Sequence, residues 1–294
     1  MTVNTQNQTA YDLELGDVFP SSQVQGSDRL FVSLSRLIKE KVGFHPSLTD
    51  STLELQDTLQ TKLREMCGQV SPGDHFVAKL VTEIESAIQP QHSIVQVSLT
   101  GFGSHELSAL LGGEIEHSEL NPTMGKRGVA KHASAEYKAA FELECEVIKQ
   151  LRASHSNIEI VVPFVRTLSD AATIIDKLAE YGLPRGLNGL KVHFSVDVPS
   201  AALLSERLLH YFDGIVVNIK NLAQFTLGID GASRELSNLF DIDNESVISL
   251  LDMSVESCKA SNKKIVVLLD QLHQLPKTSD YLQQHQQVGV FVTS

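Results

Sequence analysis

Seven near-continuous apolar runs punctuate the chain: Leu30–Leu34, Ile94–Leu99, Ile158–Phe164, Leu190–Val196, Gly214–Ile219, Lys264–Leu269 and Val288–Val292. Most are Val/Ile/Leu runs without a polar face, the pattern of parallel strands covered on both sides. Between them the apolar positions recur with a helical period. Ser134 is placed to cap a helix reaching about Leu151, with Ala140, Phe141, Cys145, Ile148 and Leu151 on one stripe. Ser169 opens a second over Asp170–Tyr181, with Ile174, Ile175 and Leu178 inward, and Gly182 falls where a left-handed C-terminal cap belongs. Residues 200–211 and 244–260 behave in the same way.

An alternation of strands and helices of this length specifies a parallel sheet. Eight such units close into a (β/α)₈ barrel. The residues alone supply seven, so an open doubly wound sheet stands as the alternative. Residues 1–27 read as a polar arm and 28–294 as the main domain, with one alternating piece in the arm at Tyr11-Asp-Leu-Glu-Leu15. An uncovered parallel edge invites pairing with other chains, so the segment Tyr11–Phe19 is expected to close or cover the gap.

Composition narrows the partners. A formal net charge of −12 argues against nucleic acid, which demands a basic face. Apolar runs such as Ile265–Leu269 are far too short to span a bilayer, and the first residues hold no apolar signal core, so neither a membrane nor secretion is expected. Three widely separated cysteines, Cys67, Cys145 and Cys258, read as reduced thiols of a cytoplasmic protein.

Four motifs carry more: Asn121-Pro-Thr-Met-Gly-Lys-Arg-Gly128, Val162-Pro-Phe-Val-Arg-Thr167, Gly186-Leu-Asn-Gly-Leu-Lys-Val192 and Phe225-Thr-Leu-Gly-Ile-Asp230. Leu37-Ile-Lys-Glu-Lys-Val-Gly-Phe-His-Pro46 and Leu110-Leu-Gly-Gly-Glu114 precede them. In this order and spacing the chain resembles the C-terminal phosphoenolpyruvate/pyruvate-binding barrel of phosphoenolpyruvate synthase and pyruvate phosphate dikinase, over roughly residues 28–292. The resemblance implies a TIM-type barrel whose strands two to eight are the seven runs, with an atypical first strand and no closing C-terminal helix. It also implies a homodimer. Family enzymes add an ATP-binding domain and a domain bearing a phosphorylated histidine, and none of the 11 histidines here sits in that carrier motif.

In such enzymes the barrel mouth holds phosphoenolpyruvate with arginines, a divalent metal on acidic side chains, and a cysteine that protonates the enolate. The logic is electrostatic, with positive charge placed where negative charge develops. Position by position, the resemblance places Ser33 at the first arginine, Ser35 at its glutamate and Ser98 at the second arginine. Gly101 and Gly103 stand at an Asp and a Lys, while the third arginine survives as Arg127. Asp197 stands at the metal-binding glutamate, Lys220-Asn221 at an Asn-Asp pair, and Leu268 or Leu269 at the cysteine. Serine cannot reproduce bidentate contacts to a dianion, and leucine donates no proton.

The expected ligand-binding residues are therefore Arg127, Lys220 and Gln224, and the remnant metal pair is Asp197 and Asn221. Each has a structural reading beside the functional one. Arg127 is equally suited to bonding loop carbonyls, Arg166 to holding the rim, Asp197 to capping the helix at Ser200, and Lys220 to lying solvated on the rim or pairing with Asp197. His45, His75 and His105 lack metal-ligand spacing and read as surface or core residues. The expectation is a non-catalytic homologue acting as a binding, regulatory or assembly subunit, with a protein partner, a small 2-oxoacid ligand at most and no cofactor. The alternative is an enzyme of altered chemistry, through Mg²⁺ at Asp197/Asn221 or a Schiff base on Lys220 with Asp197 as proton shuttle.

Overall fold

The computed structural model describes residues 15–21, 26–50, 55–270 and 272–293. Eight parallel strands close into a barrel in sequence order: β1 (Leu15–Phe19), β2 (Arg29–Ser33), β3 (Ile94–Ser98), β4 (Ile158–Val162), β5 (Val192–Val196), β6 (Gly214–Asn218), β7 (Lys264–Leu269) and β8 (Gly289–Val292). Seven coincide with the apolar runs to within two residues. The eighth is β1, inside the segment expected as an arm, and it seals the barrel by pairing with β2 and β8. The barrel therefore begins at Leu15. Tyr11–Glu14 and the rest of the arm before Leu15 lie outside the described residues. Closure excludes the open-sheet alternative.

Strand alternation divides the side chains. One set faces the surrounding helices and joins the main core; Val18, Phe31, Val161, Val216, Val266, Leu268 and Phe291 form a separate cluster inside the barrel. Fitting large residues into that space requires small ones opposite. A Cβ on Gly16 would lie 2.0 Å from the Phe291 ring, and one on Gly214 would lie 2.6 Å from His193 Nδ1. His193 in turn reaches the buried Glu159 carboxylate at 2.7 Å. The interior is thus a packed core.

Seven longer helices form most of the outer layer: α1 (Asp57–Cys67), α2 (Pro72–Ala87), α3 (Lys138–Ser154), α4 (Leu168–Glu180), α5 (Ile219–Leu227), α6 (Glu245–Ala260) and α7 (Pro276–Gln284). The stripe expected on α3 is fully buried. Its start differs from expectation: Ser134 leads into a short 3₁₀ turn, Ala135–Tyr137, and α3 follows from Lys138. The cap of α4 is Thr167, two residues earlier than Ser169, and its hydroxyl accepts from the Asp170 N–H. Gly182 has φ +83° as its cap position requires.

β1 is fixed by a polar contact rather than by apolar content. The buried Asp17 carboxylate accepts from the Gly26 and Ser27 N–H groups and lies 3.0 Å from His92 Nε2. All three cysteines are free and buried. No helix among the described residues is long and apolar enough to cross a membrane.

Candidate functional site

The C-terminal ends of the strands surround a cavity of about 400 Å³. Its lining brings together Ser33, Ser35, Ser98, Gly101, Arg127, Asp197, Lys220, Asn221, Leu268 and Leu269. Nearly every position picked out by resemblance therefore faces one space. Gly103 is the neighbour that shapes it, since a Cβ there would come within 2.8 Å of an Arg127 guanidinium nitrogen.

Arg127 is 7% exposed and held by its own loop. Asn121 accepts from the Met124 N–H, and Glu119 accepts from the Lys126 N–H at 2.7 Å. That curvature lets the Arg127 guanidinium donate to the Pro122 carbonyl at 2.7 Å. The same guanidinium lies 4.0 Å from Glu106 and 5.3 Å from the centroid of the Phe164 ring. Its Nε is buried and has no protein partner, leaving one donor unspent. Arg166 covers the Phe164 ring at 5.5 Å and donates to the Phe164 and Arg127 carbonyls, the rim role anticipated for it.

Asp197 is 1% exposed, and both its oxygens are occupied. Oδ2 accepts from the Phe164 N–H at 2.8 Å and Oδ1 from the Asn221 amide at 2.7 Å. Burial pushes its carboxyl above the ordinary value, against the lowering effect of these bonds and of Arg166. It does not cap the following helix, whose N-cap is Val198. The two remnant metal positions are thus bonded directly to each other. A neutral amide donating into the pair's single carboxylate is not a donor set for a hard divalent cation, which wants several anionic oxygens converging on open space. The pair does not fit Mg²⁺.

Lys220 lies in the first turn of α5, after Asn218 caps that helix by accepting from the Asn221 N–H. Its Nζ donates to Asp270 at 3.1 Å, and its side chain is 53% exposed. It pairs with Asp270, not with Asp197. Gln224 is a turn further on and outside the cavity lining; its amide oxygen accepts from the Gly231 N–H and pins the loop after α5. One mouth cation was missed from sequence. Arg36 lines the cavity, donates to the Thr293 carbonyl at 2.9 Å and lies 3.5 Å from Glu40. Its signal was position: it follows Ser33, the site of a vanished arginine, by three residues.

Behind the mouth sits a buried polar group. Glu144 is fully buried and accepts from the Thr100 N–H at 2.8 Å and the Tyr137 hydroxyl at 2.9 Å. His132 packs against the Phe141 and Tyr137 rings, its Nε2 3.9 Å from Glu144, with no well-formed hydrogen bond on either nitrogen. Burial pushes Glu144 up to about 7, and burial together with neighbouring Lys131 brings His132 down to about 3. Of the other histidines, His45 is buried and lies 2.8 Å from Glu116, which also accepts from Lys131 at 2.7 Å. Despite burial, those partners hold Glu116 down at about 2.

Replacing Asp197 with Asn should cost stability, because its amide would set a donor against the Phe164 N–H or the Asn221 amide. A buried unmade bond of this kind costs about 1–3 kcal/mol. Melting is expected to fall by roughly 3–10 °C, equally with and without Mg²⁺. A destabilisation appearing only when Mg²⁺ is present would contradict this geometry.

Known proteins share much of this barrel's sequence. Residues 76–268 match the family described as PEP-utilising enzyme, PEP-binding domain. Phosphoenolpyruvate synthase of Escherichia coli (strain K12) is 37% identical over 244 residues, which is 80% of this chain and 31% of that protein. The Neisseria meningitidis enzyme of the same name is 35% identical over 236 residues, 78% of this chain and 30% of that protein. The chain spans about a third of the length of these relatives. By sequence and by its closed parallel barrel, this chain belongs to the PEP-utilising enzymes and corresponds to their PEP-binding domain.

Proposed function

We propose that this domain is a non-catalytic homologue of the phosphoenolpyruvate/pyruvate-binding barrel, acting as a binding, regulatory or assembly subunit with a second copy or another protein as partner. One observation carries the reading: each cation of the mouth is already engaged by the chain itself. Arg36 is engaged by Thr293 and Glu40, Arg127 by Pro122 and Glu106, and Lys220 by Asp270. A phosphate dianion would have to displace these partners, and serines stand where two further arginines are expected. The leucines at the proton-donor position and the Asp197–Asn221 bond point the same way.

The Schiff-base alternative requires a desolvated lysine. Lys220 is half exposed and ion-paired, which weighs against it.

The test joins affinity to chemistry. Losing two charge-assisted contacts of ~1.5–3 kcal/mol each should weaken phosphoenolpyruvate binding by about 10²–10⁴-fold. Calorimetry is expected to give no signal at sub-millimolar phosphoenolpyruvate, with or without Mg²⁺. Proton NMR of pyruvate in D₂O should show no methyl exchange above the buffer rate. A micromolar dissociation constant, or exchange abolished by Lys220→Met or Asp197→Asn, would restore the enzyme reading.

A further inference from the structure

Away from the mouth, in the outer helical layer, α6 and α7 bring three metal-ligating side chains together. Asp252 and Glu256 are four residues apart on α6 and so share a face. His285, the residue ending α7, comes in from the neighbouring element. One ligand atom from each lies within 4.8 Å of the other two, so some point lies within about 2.8 Å (4.8/√3) of all three. Zinc bonds to nitrogen and oxygen ligands run about 2.0–2.2 Å, so the side chains need close by well under an ångström. Glu256 has the freedom to do so, being 57% exposed.

The surroundings are those that a metal-binding imidazole requires. His285 Nδ1 lies 2.8 Å from the Tyr281 carbonyl, which can only accept, so Nδ1 carries a proton and the neutral ring is the tautomer with its lone pair on Nε2. The Tyr281 ring stacks on the imidazole at 4.1 Å and 19°, fixing its plane. The Tyr281 hydroxyl then donates to Asp252 Oδ1 at 2.8 Å, orienting the carboxylate as well. One residue thus positions two of the three ligands. The competing cation, Lys259 on Glu256, belongs to an exposed pair of little energetic weight.

We propose that Asp252, Glu256 and His285 form a binding site for one borderline divalent transition metal of the zinc class. Imidazole with two carboxylates suits Zn²⁺ and its neighbours better than Mg²⁺, and three protein ligands leave a position for water. The ion would fasten α6 to the segment that leads directly into β8. It is independent of the mouth, since none of the three residues lines that cavity.

The experiment uses the full chain stripped with chelator, then dialysed against Zn²⁺. One equivalent should bind, the melting temperature should rise with Zn²⁺, and Co²⁺ loading should give a visible d–d spectrum. His285→Ala and Glu256→Gln should each weaken Zn²⁺ binding at least 10-fold and abolish the Co²⁺ spectrum, whereas Asp197→Asn should leave both unchanged. Tyr281→Phe, which removes only the positioning hydroxyl, should weaken binding by about 10–100-fold. Glu256→Gln, at an exposed position, keeps the test decisive if His285→Ala fails to fold. Absence of stoichiometric Zn²⁺ binding, or unchanged affinity in Glu256→Gln, overturns the proposal.

Discussion

Replacing Gly128 with alanine should lower the melting temperature by about 10 °C or more, the largest single-residue effect expected in this chain. Gly128 has φ +53° and ψ −131°, a region that L side chains rarely enter. A Cβ there would lie 2.4 Å from the Pro163 carbonyl oxygen and 2.5 Å from Phe164 Cβ, so backbone must move. Strain of ~1–3 kcal/mol adds to overpacking of ~1–3 kcal/mol. At ~2–4 °C per kcal/mol this is a large fall. The comparison is Gly186→Ala, where φ is +86° but nothing lies within 4 Å of the added carbon. That variant should show the conformational penalty alone, of ~1 kcal/mol. Equal losses at the two glycines would show that the close approach to Pro163 is unimportant.

The second large effect is a dependence of stability on pH, built into Glu144 and His132. Glu144 is raised from an ordinary 4.5 to about 7 in the folded protein. Its contribution is therefore fully present below about 4.5 and is lost as pH rises through 7. His132 is lowered from an ordinary 6.5 to about 3, so its contribution is present above about 6.5 and is lost as pH falls through 3. Between about 4.5 and 6.5 the two slopes oppose each other. Folding there moves one proton from imidazole to carboxylate without net uptake.

Glu144→Gln imitates the protonated carboxyl and removes one slope. Relative to the variant, wild type should lose stability as pH rises from 5 to 8, by about 1.4 kcal/mol per unit and on the order of 3 kcal/mol in total. The other titrating groups cancel in this difference, which urea melts at several pH values would measure. A wild-type-minus-variant difference that stays flat from pH 5 to 8 would remove the coupled-proton account.

Much of the fold was legible because buried parallel strands leave long apolar runs. The first strand was legible only as a segment, Tyr11–Phe19, needed to close the gap, which Leu15–Phe19 does; its extent and register were not, for physical reasons that can be named. Leu-Gly-Asp-Val-Phe reads as a polar-interrupted segment, yet Gly16 is small to admit Phe291 and Asp17 is buried against His92, 75 residues away. No local pattern encodes either contact. At the site, resemblance located the mouth-lining positions but not their bonding. Lys220 was a candidate partner for Asp197, but the choice of Asp270 depends on where β7 ends and on the side-chain path across the rim. Asp197 looked like a helix cap from its place before Pro199; its carboxylate instead turns to the Phe164 N–H and Asn221.

The close contact between Gly103 and Arg127 ties two positions of the mouth together. The resemblance sets a lysine against position 103, where even a single added carbon meets the guanidinium at 2.8 Å. Restoring that lysine alone would press one cation into another, and swinging Arg127 outward first would abandon the Pro122 carbonyl. Each change is unfavourable without the other. The two positions thus behave as one unit, and a single substitution at Gly103 is expected to lose stability without adding a usable charge to the mouth.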